Sequence, residues 1–228
     1  MNRLRQALQS DKLQLFVSLP ANDAALARAA VQAGADGLKV HIRADHRASG
    51  NRFGPLDQYR DSFLEIRSMF GGPLGIVPGD SIDGVQADEI AELADIGIDF
   101  YSIYAFHLPS FLLKDHGVAR TFAVNDTFDL KLTASASAFG MDALEASVVP
   151  GAEYGTKLSF ADLLKYRWLV DNAGVPVIVP SQRRIVADDI RPFMQCGIKA
   201  LLIGSVVTGK TADEIARAVS ALRNEIDK

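Results

Sequence analysis

The stretch that decides the fold is residues 175–218, VPVIVPSQRRIVADDIRPFMQCGIKALLIGSVVTGKTADEIARA. Its pattern indicates strand, polar turn, helix, strand, Gly-Ser turn and helix. Both strand-to-helix turns, at 181–183 and 204–205, carry small or hydroxyl residues where a backbone can wrap around an anion. In a (β/α)8 barrel the last two such turns form a phosphate site. The stretch therefore predicts six further strand–helix units upstream, with the chemistry at the same end of the sheet.

The rest of the chain repeats this alternation. Further β-like runs lie at 13–20, 36–44, 74–80, 100–107, 120–126 and 142–150. Strict alternation with right-handed crossovers favours a parallel sheet, and eight repeats close it. We therefore expect one (β/α)8 TIM barrel over residues 1–228. The Gly-rich first turn of a doubly wound open sheet is absent.

Several helices have recognisable sequence signals. Leu4 and Leu8 share a helical face, which predicts a short N-terminal helix over 2–10. Thr211 and Glu214 form a capping-box pattern at the start of the last helix. Thr and Ser residues weaken the helical hydrophobic pattern over 129–139. A helix is expected there only because the alternation of strands and helices requires one.

The composition excludes several classes of protein. The chain has 228 residues, of which 48% are hydrophobic, and a net charge of −4. This charge argues against nucleic acid and anionic membranes as partners. The single cysteine, Cys196, excludes an internal disulfide and fits a reducing compartment. Neither a signal peptide nor an 18-residue apolar run is evident, so we expect a cytoplasmic protein. The sequence does not decide between a monomer and a homodimer.

The second strand carries charged or titratable residues at alternate positions. Period-two alternation places Lys39, His41 and Arg43 on one face and apolar residues on the other. Because apolar side chains suit the helix layer, the charged face is expected to point into the barrel. Such groups are costly there unless they meet an anion. The alternative is one buried ion pair plus solvated residues at the rim.

Acidic residues on later strands could complete a site. Glu145, on the sixth strand, is the natural counter-charge for Lys39. It could serve as general acid or base while Lys39 stabilises an enolate, although a purely structural pair is the alternative. Asn125 and Asp126 end the fifth strand, where Asp126 is either catalytic or a helix cap.

Basic residues after the strands suggest substrate contacts. The loop at 45–54 is long and basic, and Arg47 and Arg52 would meet an acidic substrate group there; a solvated loop is the alternative. His107 ends the fourth strand and could have a role at the rim. Arg183 follows the seventh strand beside the expected phosphate site.

Several short motifs resemble the ribulose-phosphate-binding barrel superfamily. The sequence AGAD at 33–36 leads into GLKVH, PGAEYGTK at 150–157 is similar to a Pro-Gly-x-Gly-Gly-x-Lys phosphate loop, and GSV follows the eighth strand. Ser18 falls where ribulose-phosphate 3-epimerase, the most similar family, has a substrate-contacting serine. The resemblance implies a phosphate site made by Gly151, Gly155, Ser181, Gly204 and Ser205.

The departures from that family concern its metal. The epimerase holds a divalent metal with His and Asp on strands two, three and seven, where this chain offers Lys39, His41, residues 77–78 and residues 180–181. Those residues cannot supply several oxygen or imidazole ligands. We therefore expect neither a metal nor another cofactor. The metal-free N-acylglucosamine-6-phosphate 2-epimerase is similar because it carries a basic side chain on the second strand.

The sequence thus favours a metal-independent enzyme acting on a phosphorylated small molecule, with a sugar phosphate as the expected substrate class. Proton transfer next to a carbonyl, by Lys39, His41 and Glu145, is the first choice of reaction. One alternative is a carbon–carbon lyase, aldolase or synthase, with Lys39 electrostatic or a Schiff-base amine. Another is a phosphometabolite-sensing regulator without turnover.

Overall fold

Eight parallel strands close into a barrel in the computed structural model, which describes residues 2–228. Each strand pairs with its neighbours along the chain, and the eighth pairs with the first, so the barrel has no free edge. The strands are β1 (Gln14–Ser18), β2 (Gly37–His41), β3 (Leu74–Val77), β4 (Phe100–Tyr104), β5 (Ala119–Asn125), β6 (Ala143–Ser147), β7 (Val177–Pro180) and β8 (Ala200–Ile203). The expected (β/α)8 barrel is confirmed.

Helices cover the outside of the barrel. They are α1 (Arg3–Leu8), α2 (Ala24–Gln32), α3 (Arg60–Met69), α4 (Ala87–Glu92), α5 (Phe160–Asn172), α6 (Ile190–Cys196), α7 (Ser205–Thr208) and α8 (Ala212–Ile226). The capping box that opens α8 is present, since the Thr211 side chain accepts from Glu214 N and the Glu214 side chain accepts from Thr211 N. None of the helices within residues 2–228 is long and apolar enough to cross a bilayer.

Two connections depart from the α-helical pattern. The segment at 129–139 forms a 3-10 helix, Leu130–Phe139, and only short 3-10 turns lie between β4 and β5, at Ala105–His107 and Ser110–Leu113. Ser and Thr side chains compete for backbone hydrogen bonds, which weakens an α-helix. Here Thr133 Oγ1 donates to Leu130 O at 2.7 Å. A helix is therefore present as expected over 130–139, in the tighter 3-10 form.

The amino-terminal end of the barrel is closed. As expected, Leu4 and Leu8 of α1 are buried, and they pack in one cluster with Phe16 and Phe100 from β1 and β4. A side chain at Gly75 would overlap the Phe100 ring, because a Cβ there would lie 2.2 Å from it. This layer leaves the carboxyl ends of the strands as the open end.

The residues of β2 alternate between two environments. Leu38 and Val40 pack in the main hydrophobic core with the helix layer, whereas Lys39 and His41 line a cavity inside the barrel. The expected inward direction of Lys39 and His41 is confirmed. The strand ends at His41, and Arg43 has a left-handed backbone conformation with φ of 47°. The period-two alternation therefore does not extend to Arg43.

Candidate functional site

A cavity of about 260 Å³ opens at the carboxyl ends of the strands. Active sites of TIM barrels occupy this end. Polar and titratable side chains from six of the eight strands, or from the loops after them, contribute to the lining, which includes Ser18, Lys39, His41, Asp45, His46, Arg47, Asp80, Ser102, Tyr104, His107, Glu145, Ser147, Tyr154, Ser181 and Gln182, together with the backbone of Gly204. A concave pocket in which such groups converge is the default candidate for a binding or active site.

An ion pair crosses the interior of the barrel. Lys39 Nζ donates to Glu145 Oε2 at 2.8 Å and to Oε1 at 3.0 Å. Strands β2 and β6 lie four places apart in the ring of eight, so the two side chains meet from opposite walls. Ser102 Oγ on β4 donates to Glu145 Oε2 at 2.8 Å. Both charged residues are more than 90% buried, and the expected pairing of Lys39 with Glu145 is confirmed.

His41 stands beside this pair with one ring nitrogen unpartnered. Asn22 fixes its backbone, donating to His41 O at 2.6 Å and accepting from His41 N at 3.1 Å. Nε2 lies 3.4 Å from Ser18 Oγ, and Nδ1 is buried with no hydrogen-bond partner. Burial, followed by the nearby His46 and Lys39, holds the pKa of His41 well below its usual value. The neutral ring can therefore donate or accept a proton.

The loop after β2 folds over this part of the cavity. Asp45–His46 and Asn51–Arg52 pair as a small antiparallel hairpin. The rings of His46 and Phe53 pack against His41, with centroids 4.3 and 4.9 Å away. Burial, with a smaller contribution from Lys39, lowers the pKa of His46 to about 4. The hairpin thus covers His41 with a neutral, largely desolvated aromatic layer.

Arg47 extends from the hairpin toward the opposite side of the mouth. Its side chain is exposed, lines the cavity and lies 5.9 Å from the centre of the Tyr154 ring. It occupies the space beside Gly151, because a Cβ on that glycine would lie 2.1 Å from Arg47 Nη1. The structure therefore places Arg47 at the mouth, as expected for a residue that meets an acidic group.

The turns after β7 and β8 meet at one wall of the cavity. Ser181 and Gly204 both line it, and Gly204 N donates to Ser181 Oγ at 2.8 Å. Ser205 does not line the cavity, but its hydroxyl is buried beside Gly204 without a hydrogen-bond partner. Ser18 lines the cavity from β1, which is adjacent to β8. The cavity wall here offers the hydroxyl groups of Ser18 and Ser181 and the backbone turn at Gly204.

Besides Ser205, three residues expected at the phosphate site do not line the cavity. Arg183 points away from the cavity, because its guanidinium pairs with Asp162 at 2.9 Å and with Glu153 at 2.6 Å. Gly151 and Gly155 do not line the cavity either. Tyr154, between them, and Gln182 line it instead, with a hydrogen bond of 2.6 Å from Gln182 Nε2 to Tyr154 Oη.

Two arginines expected to bind substrate make other contacts. Arg43 Nε donates to Glu89 Oε2 of α4 at 2.7 Å, because its left-handed backbone turns the side chain away from the interior. Arg52 is 87% exposed and lies 3.3 Å from Asp45. Arg43 therefore does not face inward with Lys39 and His41, whereas the contact of Arg52 with an acidic substrate group stays a prediction.

The residues that end β5 also lie outside the cavity. Asp126 is exposed, and the half-buried Asn125 accepts a hydrogen bond from Thr127 at 3.2 Å. Neither lines the cavity. Asp126 is therefore not placed to act with Lys39 and Glu145.

Several polar residues that line the cavity were not predicted as site residues, among them Asp80, Ser102, Tyr104, Tyr154 and Gln182. Ser102 and Tyr104 share one face of β4, and a search for polar residues two apart on a strand could have found them. Gln182 directly follows Ser181, in a turn that was predicted to bind phosphate. It also joins two loops, since Oε1 accepts from Val149 N at 3.0 Å and Nε2 donates to Ser147 O at 3.0 Å.

The donors in the cavity do not assemble into a metal-binding cluster. Within residues 2–228, no group of three or more His, Cys, Asp or Glu side chains is arranged to hold a metal ion. The carboxylate deepest in the cavity, Glu145, is bonded to the ammonium group of Lys39.

Sequence comparisons do not assign the chain to a family. No protein-family model matches the chain, and no curated protein matches its sequence.

Solved structures share the fold. Tryptophan synthase of Mycobacterium tuberculosis is 17% identical with a TM-score of 0.77, over 99% of this chain and 98% of that one. Thiamine phosphate pyrophosphorylase of Pyrococcus furiosus is 16% identical with a TM-score of 0.66, over 98% of both chains. KGPDC of Streptococcus mutans, in complex with D-R5P, is 17% identical with a TM-score of 0.69, over 94% and 97%. Identities this low confirm the fold that the family resemblance implies. They do not show a shared activity or substrate.

The ion pair generates a stability prediction. Lys39→Met leaves Glu145 buried without its counter-charge, so we expect a loss of roughly 3–5 kcal/mol in the free energy of unfolding. The double variant Lys39→Met/Glu145→Gln removes both charges and should recover most of that loss. Urea unfolding of the single and double variants measures both quantities. Additive losses in the double variant would contradict a direct pairing.

The two histidines in contact, His41 and His46, generate a pH prediction. Folding lowers both pKa values, so the unfolded chain binds more protons as the pH falls below about 6.5. The free energy of unfolding should therefore fall from pH 6.5 toward pH 4. Above about pH 6.5 the stabilisation that comes from burying the two neutral histidines is fully present.

Urea unfolding across this pH range, with His46→Gln, checks the expectation. The variant should show a smaller loss of stability than the wild type, whereas the control His116→Gln, outside the cavity, should match the wild type. Equal losses in all three proteins would count against a role for His46.

Proposed function

We propose that this chain is an enzyme that acts on a phosphorylated small molecule and transfers a proton next to a carbonyl group. The observation that carries the proposal is the buried Lys39–Glu145 pair inside the open cavity. A buried pair is a poor source of stability, because desolvation offsets the attraction between its charges. Its position beside other titratable groups, the buried His41 and the half-buried His46, is typical of a functional site.

The wall made by Ser18, Ser181 and Gly204 is the proposed phosphate position. It follows strands β1, β7 and β8, and phosphate sites of TIM barrels commonly use the turns after the seventh and eighth strands. The names of two structural neighbours, thiamine phosphate pyrophosphorylase and KGPDC in complex with D-R5P, fit a phosphorylated ligand. Arg47 at the mouth would add the positive charge that this wall lacks.

Lys39 and Glu145 have complementary roles in the proposed reaction. A Glu145 oxygen removes a proton from the carbon next to the substrate carbonyl, and the C–H electron pair moves into an enolate. Lys39, as an ammonium ion, donates to the developing oxyanion. Substrate binding must draw Lys39 Nζ partly from Glu145 toward the carbonyl oxygen. Ser102 keeps the carboxylate in place during that change, since it donates to Glu145 Oε2.

His41 is the proposed second proton-transfer group. Its neutral ring bears a single N–H, which can donate its proton to the enolate on the face opposite Glu145 and leaves the ring as an imidazolate anion until solvent returns a proton. That proton inverts the carbon centre, while Glu145 keeps the proton it removed. A later exchange of protons with solvent restores both groups. Return of the proton by Glu145 to the neighbouring carbon would instead move the carbonyl, as in an isomerase.

A carbon–carbon lyase is the second candidate, because the same Lys39 and Glu145 could stabilise an enolate released by bond cleavage. The pair itself argues against a Schiff base, since an amine nucleophile must first lose its proton. Lys39 Nζ donates to both Glu145 oxygens, and it would have to give up those hydrogen bonds to attack a carbonyl carbon.

Incubation with D-ribulose 5-phosphate and other sugar phosphates in deuterated water tests the proposal. We expect wild-type protein to introduce deuterium next to the carbonyl. Glu145→Gln should slow the exchange by roughly 10²–10⁴-fold, the usual contribution of a general base. Asp126→Asn, which changes an exposed carboxylate outside the cavity, is the matched control and should exchange at the wild-type rate.

Each other outcome selects an alternative. Shorter fragments in the mixture would support the lyase. Tight binding without exchange would support a regulator that senses phosphorylated metabolites and would overturn the enzymatic proposal.

A further inference from the structure

A second cavity lies at the closed, amino-terminal end of the barrel. This groove, of about 440 Å³, is bordered by α1 and by the loops that lead into β4 and β5. Its polar lining consists of Asn2, Arg3, Arg5, Asp99, Asp115 and Arg120. Because β4 has five residues, roughly 16 Å of strand separates the groove from the cavity at the other end. A ligand in the groove would therefore not touch Lys39 or Glu145.

The buried carboxylate of the groove is already satisfied. Asp99 Oδ1 accepts from Arg3 Nη1 at 2.9 Å, and Oδ2 accepts from Arg67 Nη1 at 3.1 Å and from Leu74 N at 2.9 Å. The second carboxylate that lines the groove, Asp115, is exposed to solvent. Two arginines thus share the single carboxylate of Asp99, so its charge does not neutralise both.

The two arginines of α1 keep most of their hydrogen-bond donors. An arginine side chain has five N–H donors. Arg3 uses one of them, toward Asp99, and Arg5 uses two, both toward Asp142. The side chains of Arg3 and Arg5 are 49% and 50% exposed. Their remaining N–H groups are therefore accessible to a ligand in the groove.

Arg120 is a cation without a carboxylate partner. Its Nη1 donates to the backbone carbonyl of Leu113, and its guanidinium group forms no ion pair within residues 2–228. The residue is half-buried at the start of β5, so its charge is partly removed from water without a counter-charge. An anion in the groove would supply that counter-charge.

The groove carries a local excess of positive charge on an acidic chain. The charged side chains that line it, or that pair with a lining residue, are four arginines and three aspartates. The whole chain, in contrast, has a net charge of −4. With its carboxylates bonded or exposed and its guanidinium donors in surplus, the groove is complementary to an anion that has several oxygen atoms.

We propose that this groove binds a small multivalent anion through carboxylate or phosphate oxygens. Such an anion can accept from Arg3, Arg5 and Arg120 together, because planar guanidinium groups bind these oxygens in pairs. Arg3 and Arg5 belong to α1, whereas Arg120 belongs to β5. The bound anion would therefore cross-link the N-terminal helix to the barrel. The site goes beyond the proposed function and shares no residue with the cavity at the other end.

Calorimetric titration at neutral pH and constant ionic strength tests the inference. The probes are citrate, inorganic phosphate and, as a monovalent control, acetate. We expect citrate or phosphate to bind the wild-type protein in the groove and acetate not to bind. Arg3→Met and Arg120→Met should each weaken that binding roughly 10–100-fold, the usual effect of removing a hydrogen bond to a charged group. Arg3→Lys keeps the charge without the planar fork and should recover part of the affinity.

The matched control is Arg28→Met, which removes an exposed arginine of α2 outside the groove and should bind as the wild type does. Arg3→Met keeps the measurement decisive if Arg120→Met does not fold, because Asp99 retains its bonds from Arg67 and Leu74 N.

The outcomes separate the two ends of the barrel. Phosphate binding that survives both Arg3→Met and Arg120→Met belongs to the wall at Ser181 and Gly204. If citrate binding survives both substitutions as well, this inference is overturned and the proposed function stands. Equal weakening in Arg28→Met would also overturn it, because the effect would then reflect overall charge. Failure of both multivalent anions to bind the wild-type protein would overturn it too.

Discussion

The contact between Lys39 and Glu145 is the interaction on which the rest of the site depends. It joins strands from opposite sides of the barrel at 2.8 Å, so a shift in the register of either strand would break it. Both groups are removed from water, and each needs the other to offset the cost of desolvation. The bond from Ser102 satisfies the carboxylate further. A closed barrel with charge in its interior is therefore held to one arrangement.

The two ends of the barrel have different roles because of how they are filled. At the amino-terminal end, Leu4, Phe16 and Phe100 pack into an apolar layer. At the other end, hydroxyl, imidazole and phenol groups surround the ion pair, and the hairpin after β2 covers part of the opening. Stability comes from the first end, and the second can carry unsatisfied groups such as His41 Nδ1 and His107 Nδ1. That division is the usual one in TIM barrels.

The sequence predicted the barrel and the core of the site because both rest on period-two patterns. Alternation on β2 placed Lys39 and His41 inward, and Glu145 was the carboxylate on a strand that could meet them. The predictions for Arg43 and Arg183 failed for other reasons. Arg43 follows the end of the strand in a left-handed conformation, and Arg183 pairs with Asp162, 21 residues away in sequence. The period-two pattern of a strand does not encode a pairing with a helix residue such as Asp162 of α5, or the direction of the chain after the strand ends.

A crystal structure with bound D-ribulose 5-phosphate tests the central claim most directly. We expect the phosphate group to lie against Ser181 and Gly204, and the carbonyl oxygen to lie within hydrogen-bond distance of Lys39 Nζ. A phosphate bound on another face of the protein, or a ligand in the cavity that leaves Lys39 and Glu145 bonded only to each other, would contradict it.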